Sequence, residues 1–347
     1  MTTPREPSTH PRVTLRQVAA ATGVSAMTVS RAFRQGAPVR PSLRERIIET
    51  ARQMGYEPDP HISSVMRAFV RRGSPHYRET LAFIGDRKPA PATFNALTFQ
   101  GALSRAEALG YHLEPFWMGE PHLTFSRLNR LLRTRSIRGV LFCPFDLRPR
   151  MHVRLDWSRL AVGALGSSLW KPRLNRVQHH HYMGMILALR SIHRLVGDKA
   201  GLVLSNLLHT RSQGAYVSSF LTNQADSPRD VLGRIHRYGA WQRERFLAWL
   251  ERADPEILLC AEPNDVRLAR EAIRGRARWR HLGIACLDVS ESTPDLAGIS
   301  QQNTIIGSHA VDLILSEIQH AEFGLPTYPK TLMIEGAWKD GPSLRAC

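Results

Sequence analysis

Positions 25 to 31 gather side chains suited to a nucleic-acid surface. Ser25, Thr28 and Ser30 carry hydroxyls that bond phosphate oxygens. Arg31 carries a planar fork of donors that matches O6 and N7 of guanine, and Ala26 and Met27 offer apolar contact of the kind a thymine methyl accepts. Thr14, Leu15 and Arg16 upstream and Arg34 and Tyr56 downstream extend the candidate set. The rival reading is a small helical bundle with a solvated arginine face.

Other chemistries are weaker. His179, His180 and His181 stand in a row, but neighbours on a strand point to opposite faces and on a helix fan out by ~100° each, so three in a row rarely converge on one ion. Cys143, Cys260, Cys286 and Cys347 form no CxxC pair, and the first three lie in or beside apolar runs, as small buried hydrophobes do. There is no P-loop, GxSxG, HExxH or clear GxGxxG, and no spacing ties Ser, His and Asp into a triad. The expectation is therefore no catalytic set, no metal and no cofactor. Phe94 and Trp170 have rings able to stack on a sugar face, or to serve as core or rim.

The elements that would position the first group are short helices. Thr14 caps a helix carrying Leu15, Val18 and Ala19 on one face, and Gly23 ends it. Ser25 caps a second helix with apolar Val29, Ala32 and Phe33, closed by Gly36 and Pro38. A third runs from Pro41 or Ser42 to Met54, with Ile47, Ile48 and Ala51 expected to face inward. Two helices joined by a short turn and propped by a third are the helix-turn-helix pattern, whose second helix enters the major groove.

Charge agrees with this placement. The 347 residues carry a formal net charge of +17. Residues 1–78 hold thirteen Arg, no Lys and five acids, so a fifth of the chain carries +8 of that excess. Apolar residues, at 43%, suffice for a packed core. No apolar run reaches the length of a membrane span, MTTPREPSTHPR has no apolar signal core, and the cysteines suit a reducing compartment, so a cytoplasmic location is expected.

The run V-T-L-x-x-V-A-x-x-x-G-V-S-x-x-T-V-S-R, residues 13–31, closely resembles the start of the LacI/GalR family of bacterial transcription regulators, and the match continues from Arg44 to Gly55-Tyr56-Glu57-Pro58-Asp59. The resemblance implies that Ala26 and Met27 select the operator sequence and that Arg31 is the shared guanine reader. It also implies a hinge helix over residues 58–70 that wedges an apolar side chain into the minor groove, here Val65 or Met66 with Ser63 and Ser64 alongside. Asp59, Ile62 and Val65 replace the usual Asn, Ala and Leu. The rival is a linker helix that packs only on its own body.

From residue 79 short β-rich runs alternate with helical stretches, which implies βαβ units and parallel sheets. Expected helices include Phe99 to Leu109, Tyr182 to Leu195, Gln213 to Gln224 and Ile306 to Glu322. More than ten elements divide naturally into two lobes with a ligand cleft at the strand carboxyl ends. The resemblance implies the same two-lobed body, dimeric and like a periplasmic sugar-binding protein. It places Asp288 at the end of a strand as a ligand to sugar hydroxyls. It sets Gln213, with Arg211 two residues earlier, at the family's arginine position, and His179-His180-His181 where the family has Asp-Asn, so that His180 joins the expected effector set.

The expected fold class is multidomain: an all-α helix-turn-helix head plus a two-lobed α/β, Rossmann-like effector domain. The expected boundaries are a tail at 1–12, the head at 13–57, the hinge and linker at 58–78, and the effector domain at 79–347. Lobe 1 takes about 79–177 plus 300–330, and lobe 2 about 178–299 plus 331–347. The expected partners are a palindromic double-stranded DNA operator, a small effector such as a sugar or sugar derivative, and a second copy of the chain. The alternatives are a ligand-binding module with only weak non-specific DNA tethering, and a sugar-metabolising enzyme fused to a DNA-binding head.

Overall fold

The computed structural model describes residues 15–25, 28, 29, 32, 39–54, 56, 79–145, 153–169, 171–195, 199–224 and 227–344. The chain divides into two compact units, Met1–His76 and Tyr77–Cys347.

In the first unit, α1 (Leu15–Thr22) and α2 (Pro41–Gln53) pack over a core of Val18, Val29, Ala32, Ile47 and Ala51. Thr28, Val29 and Ala32 between them are helical. The Ser25 hydroxyl accepts from the Thr28 backbone N–H at 3.1 Å, as an N-cap does. Arg46 donates to the Thr22 carbonyl at 3.2 Å, tying the end of α1 to α2. One expectation fails. Ile48 is 38% exposed, because Ile47 and Ala51 lie four apart on one face while Ile48 is rotated ~100° away from it.

The second unit holds two sheets. Its chain first runs through β1 (Thr80–Gly85), α3 (Phe94–Ala108), β2 (His112–Trp117), α4 (Phe125–Thr134), β3 (Gly139–Phe142), β4 (Ala161–Leu165) and β5 (Asn175–His179). It then crosses to α5 (His181–Leu195), β6 (Ala200–Ser205), α6 (Asn206–Arg211), α7 (Ala215–Thr222), α8 (Pro228–Gly233) and β7 (Ile235–Tyr238). Next come α9 (Arg243–Ala253), β8 (Ile257–Cys260), α10 (Pro263–Ile273), β9 (Gly283–Val289) and β10 (Ala297–Ser300). It returns with α11 (Asn303–His320) and β11 (Thr331–Ile334), and crosses once more to β12 (Ala337–Lys339).

The first sheet has the order β11-β5-β4-β3-β1-β2 and is parallel throughout. The second has the order β12-β10-β9-β8-β6-β7, with only β12 antiparallel. Both are covered on two faces, which is why the central strands read as continuous apolar runs rather than alternating ones. Along β1, Ala82 and Ile84 join one core cluster and Leu81 and Phe83 the other. Along β8, Leu258 and Cys260 face one cluster and Ile257 and Leu259 its opposite.

The lobe boundaries differ from expectation: Gln178 and His179, expected in lobe 2, end β5 of the first sheet, and Ser300, expected in lobe 1, ends β10 of the second. Residues 331–334, expected in lobe 2, form β11 beside β5 in the first sheet, so the last crossing follows Ile334. Short elements escaped the sequence reading as well. The six-residue helices α6 and α8 are too brief to display a 3.6-residue period. α3 begins at Phe94 rather than Phe99, capped by the Thr93 hydroxyl, which accepts from the Ala96 N–H at 3.4 Å.

Candidate functional site

In the head, the capping bond at Ser25 and Thr28 fixes the start of the second helix, and both hydroxyls meet at 2.9 Å. Tyr56 packs partly against the head core, and its backbone N–H donates to the Ala51 carbonyl at 2.9 Å, tying it to the end of α2. Leu15 and Arg16 open α1. Thr14, Ala26, Met27, Ser30, Arg31 and Arg34 lie outside the described residues, as do Ser63, Ser64, Val65 and Met66 of the expected hinge.

The body holds a cavity of about 430 Å³ where the carboxyl ends of the two sheets face each other. The first lobe contributes the Phe94 ring from the start of α3, Pro144 after β3, and Ser167 and Ser168 after β4. The second contributes Arg211 from α6, Glu262 and Asn264 around the start of α10, and Asp288 from β9. Gln178, His179, His181 and Gln301 line it at the crossings. Ser167 reaches across the gap to donate to the Arg211 carbonyl.

Three crossings join the lobes, after His179, after Ser300 and after Ile334. They are packed closely. His180 N–H donates to the Ile334 carbonyl at 2.8 Å. A Cβ on Gly336 would lie 2.6 Å from Ile299 Cγ2 and 2.9 Å from both His179 Cε1 and the Ser300 carbonyl oxygen, so only glycine fits there.

Behind the cavity a hydrogen-bond chain sets protonation. Gln301 Nε2 donates to the Leu287 carbonyl at 2.8 Å and to Tyr216 Oη at 3.1 Å. A carbonyl only accepts, so the amide orientation is fixed. Tyr216 Oη and His181 Nδ1 lie 3.0 Å apart; in the tautomer that carries its proton on Nε2, the phenol donates its O–H to Nδ1 of a neutral His181. Burial, with His180 nearby, lowers the His181 pKa to about 4. Burial holds His179 at about 3, and the Tyr216 phenol is pushed well above its ordinary value by the same cause.

Asp288 keeps part of its surface open to the cavity, yet its carboxyl is densely enclosed by protein. That desolvation raises its pKa to about 7, against the lowering effect of Asn303, which donates to it at 3.5 Å. Ser168 Oγ, Gln178 Oε1 and Asn303 Oδ1 are buried here without a hydrogen-bond partner among the described residues. Such groups await polar atoms of a ligand or water. A cavity offering one aromatic face with many hydroxyl, amide and carboxylate groups suits a neutral, hydroxyl-rich molecule.

The family described as bacterial regulatory proteins, lacI family, matches residues 14–59. The N-terminal region therefore carries a helix-turn-helix segment similar to that family's. The fold of the chain is that of solved lacI-family regulators. One is the transcriptional regulator CelR in complex with cellobiose, at 18% identity over 96% of this chain and 100% of that one, with a TM-score of 0.54. Another is the lac repressor dimer bound to operator and the anti-inducer ONPF, with the same identity, coverage and score. A third is a LacI transcriptional regulator from Lactobacillus brevis, at 13% identity over 76% of this chain and all of that one, with a TM-score of 0.56. No curated protein matches the sequence.

Within the body, three of the six residues expected to bind an effector come together: Asp288, Arg211 and Phe94 line one cavity. Two others do not. His180 turns away from the cavity and its Nδ1 accepts from the Met183 N–H at 3.4 Å, within the first turn of α5. Gln213 is exposed in the turn between α6 and α7, with a left-handed φ of 55°. Trp170 lies outside the described residues. The sequence reading missed Glu262, Ser167, Ser168, Gln178, His181 and Gln301. Of these only the His run gave any signal. No helix among the described residues is long and apolar enough to cross a membrane, and none of their His, Cys, Asp and Glu form a group able to hold a metal.

Proposed function

We propose that the protein is a repressor of carbohydrate-related genes, that it binds a palindromic operator as a dimer, and that a sugar or sugar derivative in the interlobe cavity switches it. The observation that carries this reading is the joining, in one chain, of a lacI-family head to a two-lobed body with a polar cavity at its strand carboxyl ends. Relatives in fold were solved with cellobiose and with glucose, in keeping with a hydroxyl-rich ligand. Asp288 and Arg211 bond ligand hydroxyls, and Phe94 covers an apolar sugar face. Binding accounts for this set of cavity side chains.

The switch works by population shift. A ligand that touches both lobes favours one arrangement of the crossings, and a difference in head pairing between arrangements then alters operator affinity. Two heads related by a dyad read a palindrome. Ser25, Thr28 and the first-turn amides hold phosphate, Arg31 reads guanine, and Val65 or Met66 enters the minor groove.

Footprinting on the protein's own upstream DNA should show dyad-symmetric protection that a cognate sugar alters. Arg31→Ala should cost about 1–3 kcal/mol of discrimination between operator and scrambled DNA. Protection without a dyad, or affinity that ignores sequence and falls steeply with salt, would leave only non-specific tethering.

A further inference from the structure

A second hollow of the body lies at the opposite end of the strands that build the effector cavity. β3 and β4 run into the effector cavity through Pro144 and Gly166 at their carboxyl ends. At the amino ends of β1, β3 and β4, a cavity of about 510 Å³ is bordered by Glu79, Arg138 and Leu160. Its floor is apolar: Leu132, Ile137 and Leu160 are buried core residues, and Phe323 forms a wall. Its rim is cationic. Arg133 and Arg159 border it, and the same two arginines also border an adjoining hollow of about 560 Å³, where Arg130 joins them.

The charges do not cancel. Arg138 is paired with Glu79 and lies over the Phe323 ring at 5.7 Å. Asp156 accepts from the Ser158 hydroxyl at 2.8 Å and, among the described residues, faces no cation in an ion pair. Arg130, Arg133 and Arg159 are exposed and form no ion pair among the described residues. Arg133 and Arg159, unpaired among the described residues, therefore stand over an apolar floor, with Arg130 beside them in the adjoining hollow. The helix does not supply this potential, since the C-terminal turn of α4 presents carbonyls here. The guanidinium forks do, and their donor geometry matches phosphate oxygens.

We propose that this hollow is a second ligand site, for a small phosphate ester whose apolar or ring-shaped body rests on Leu132, Ile137 and Phe323 while its phosphate is held by Arg133 and Arg159, with Arg130 alongside. An inorganic ion would leave the floor unused, and an uncharged ring would leave the arginines unpaired. A phosphate ester satisfies both. The site is separate from the sugar-type cavity, so it stands whether or not that reading holds.

The test is calorimetric titration of the full-length protein at ~0.15 M salt, a regime in which diffuse surface attraction is screened. The probes are phenyl phosphate, inorganic phosphate and phenol. Phenyl phosphate should bind about tenfold more tightly than either fragment. Arg133→Gln with Arg159→Gln should weaken it about tenfold or more. Arg133→Lys with Arg159→Lys should recover only part of that loss, because the ammonium keeps the charge without the fork. Phe323→Ala should weaken phenyl phosphate several-fold and leave inorganic phosphate unchanged. Inorganic phosphate binding as tightly as phenyl phosphate would overturn the proposal, as would an unaltered double variant. A double variant that loses DNA affinity while phenyl phosphate never binds would also overturn it, assigning the arginines to a nucleic-acid backbone.

Discussion

At the residue scale, environment decides what each ionisable group does. Asp288 would titrate near 3.8 in the unfolded chain and does so at about 7 when folded. Well below pH 4 both states are protonated and the group contributes nothing. Between pH 4 and 7 the unfolded chain ionises first, so stability falls as pH rises through that window and the loss is complete above it. Asp288→Asn lacks this penalty. The melting temperature of the variant minus that of the parent should grow from near zero well below pH 4 to a plateau above pH 7, on the order of 5 °C. A difference that ignores pH would mean that the carboxyl is not desolvated. His179 and His181 act in the opposite sense. Their lowered values mean that stability is lost as pH falls below the ordinary histidine range. His180 lies between them, yet only its neighbours reach the cavity. Residue type was legible in the sequence; direction was not.

At the element scale, the chain shows where backbone meets backbone. α3 and α11 cross through facing glycines: a Cβ on Gly101 would sit 1.9 Å from the Thr304 carbonyl oxygen, and one on Gly307 2.0 Å from that of Thr98. Those helices must part to admit any side chain. Gly307→Ala should destabilise the body by about 3 kcal/mol, read as a lowered urea midpoint. Gly233→Ala at the end of α8, where nothing lies within 4 Å, should change it little. Equal effects would mean that helix propensity rather than close approach governs both. Elements with strong periodicity or long apolar runs were legible because their own residues carry the pattern. α4, with Leu128 and Leu132 buried and Arg127, Arg130 and Arg133 outward, is one such case. α6 and α8 were not legible, being shorter than two turns.

At the scale of the whole molecule, the three crossings form a hinge with little spare room. Gly336→Ala should lower the melting temperature of the body and weaken any effect of a cavity ligand on DNA affinity. Glu335→Ala, at an exposed neighbour, should do neither. A Gly336→Ala protein with parental melting and parental ligand response would remove the hinge from the account. The excess charge also resolves at this scale. Part of the +9 borne by residues 79–347 collects as arginines that form no ion pair among the described residues, around the hollow at the strand amino ends, on the face away from the interlobe cavity.

The sequence by itself determined the head, because a helix-turn-helix is local: its caps, turn and apolar spacings all fall within about forty consecutive residues. It also determined the alternating α/β body, because parallel strands and their crossover helices each announce themselves along the chain. It did not determine the two cavities. Their walls come from segments as distant as Phe94 and Asp288, or Glu79 and Phe323. Only the packing of both sheets, and the return of residues 331–334 to the first of them, brings those side chains together.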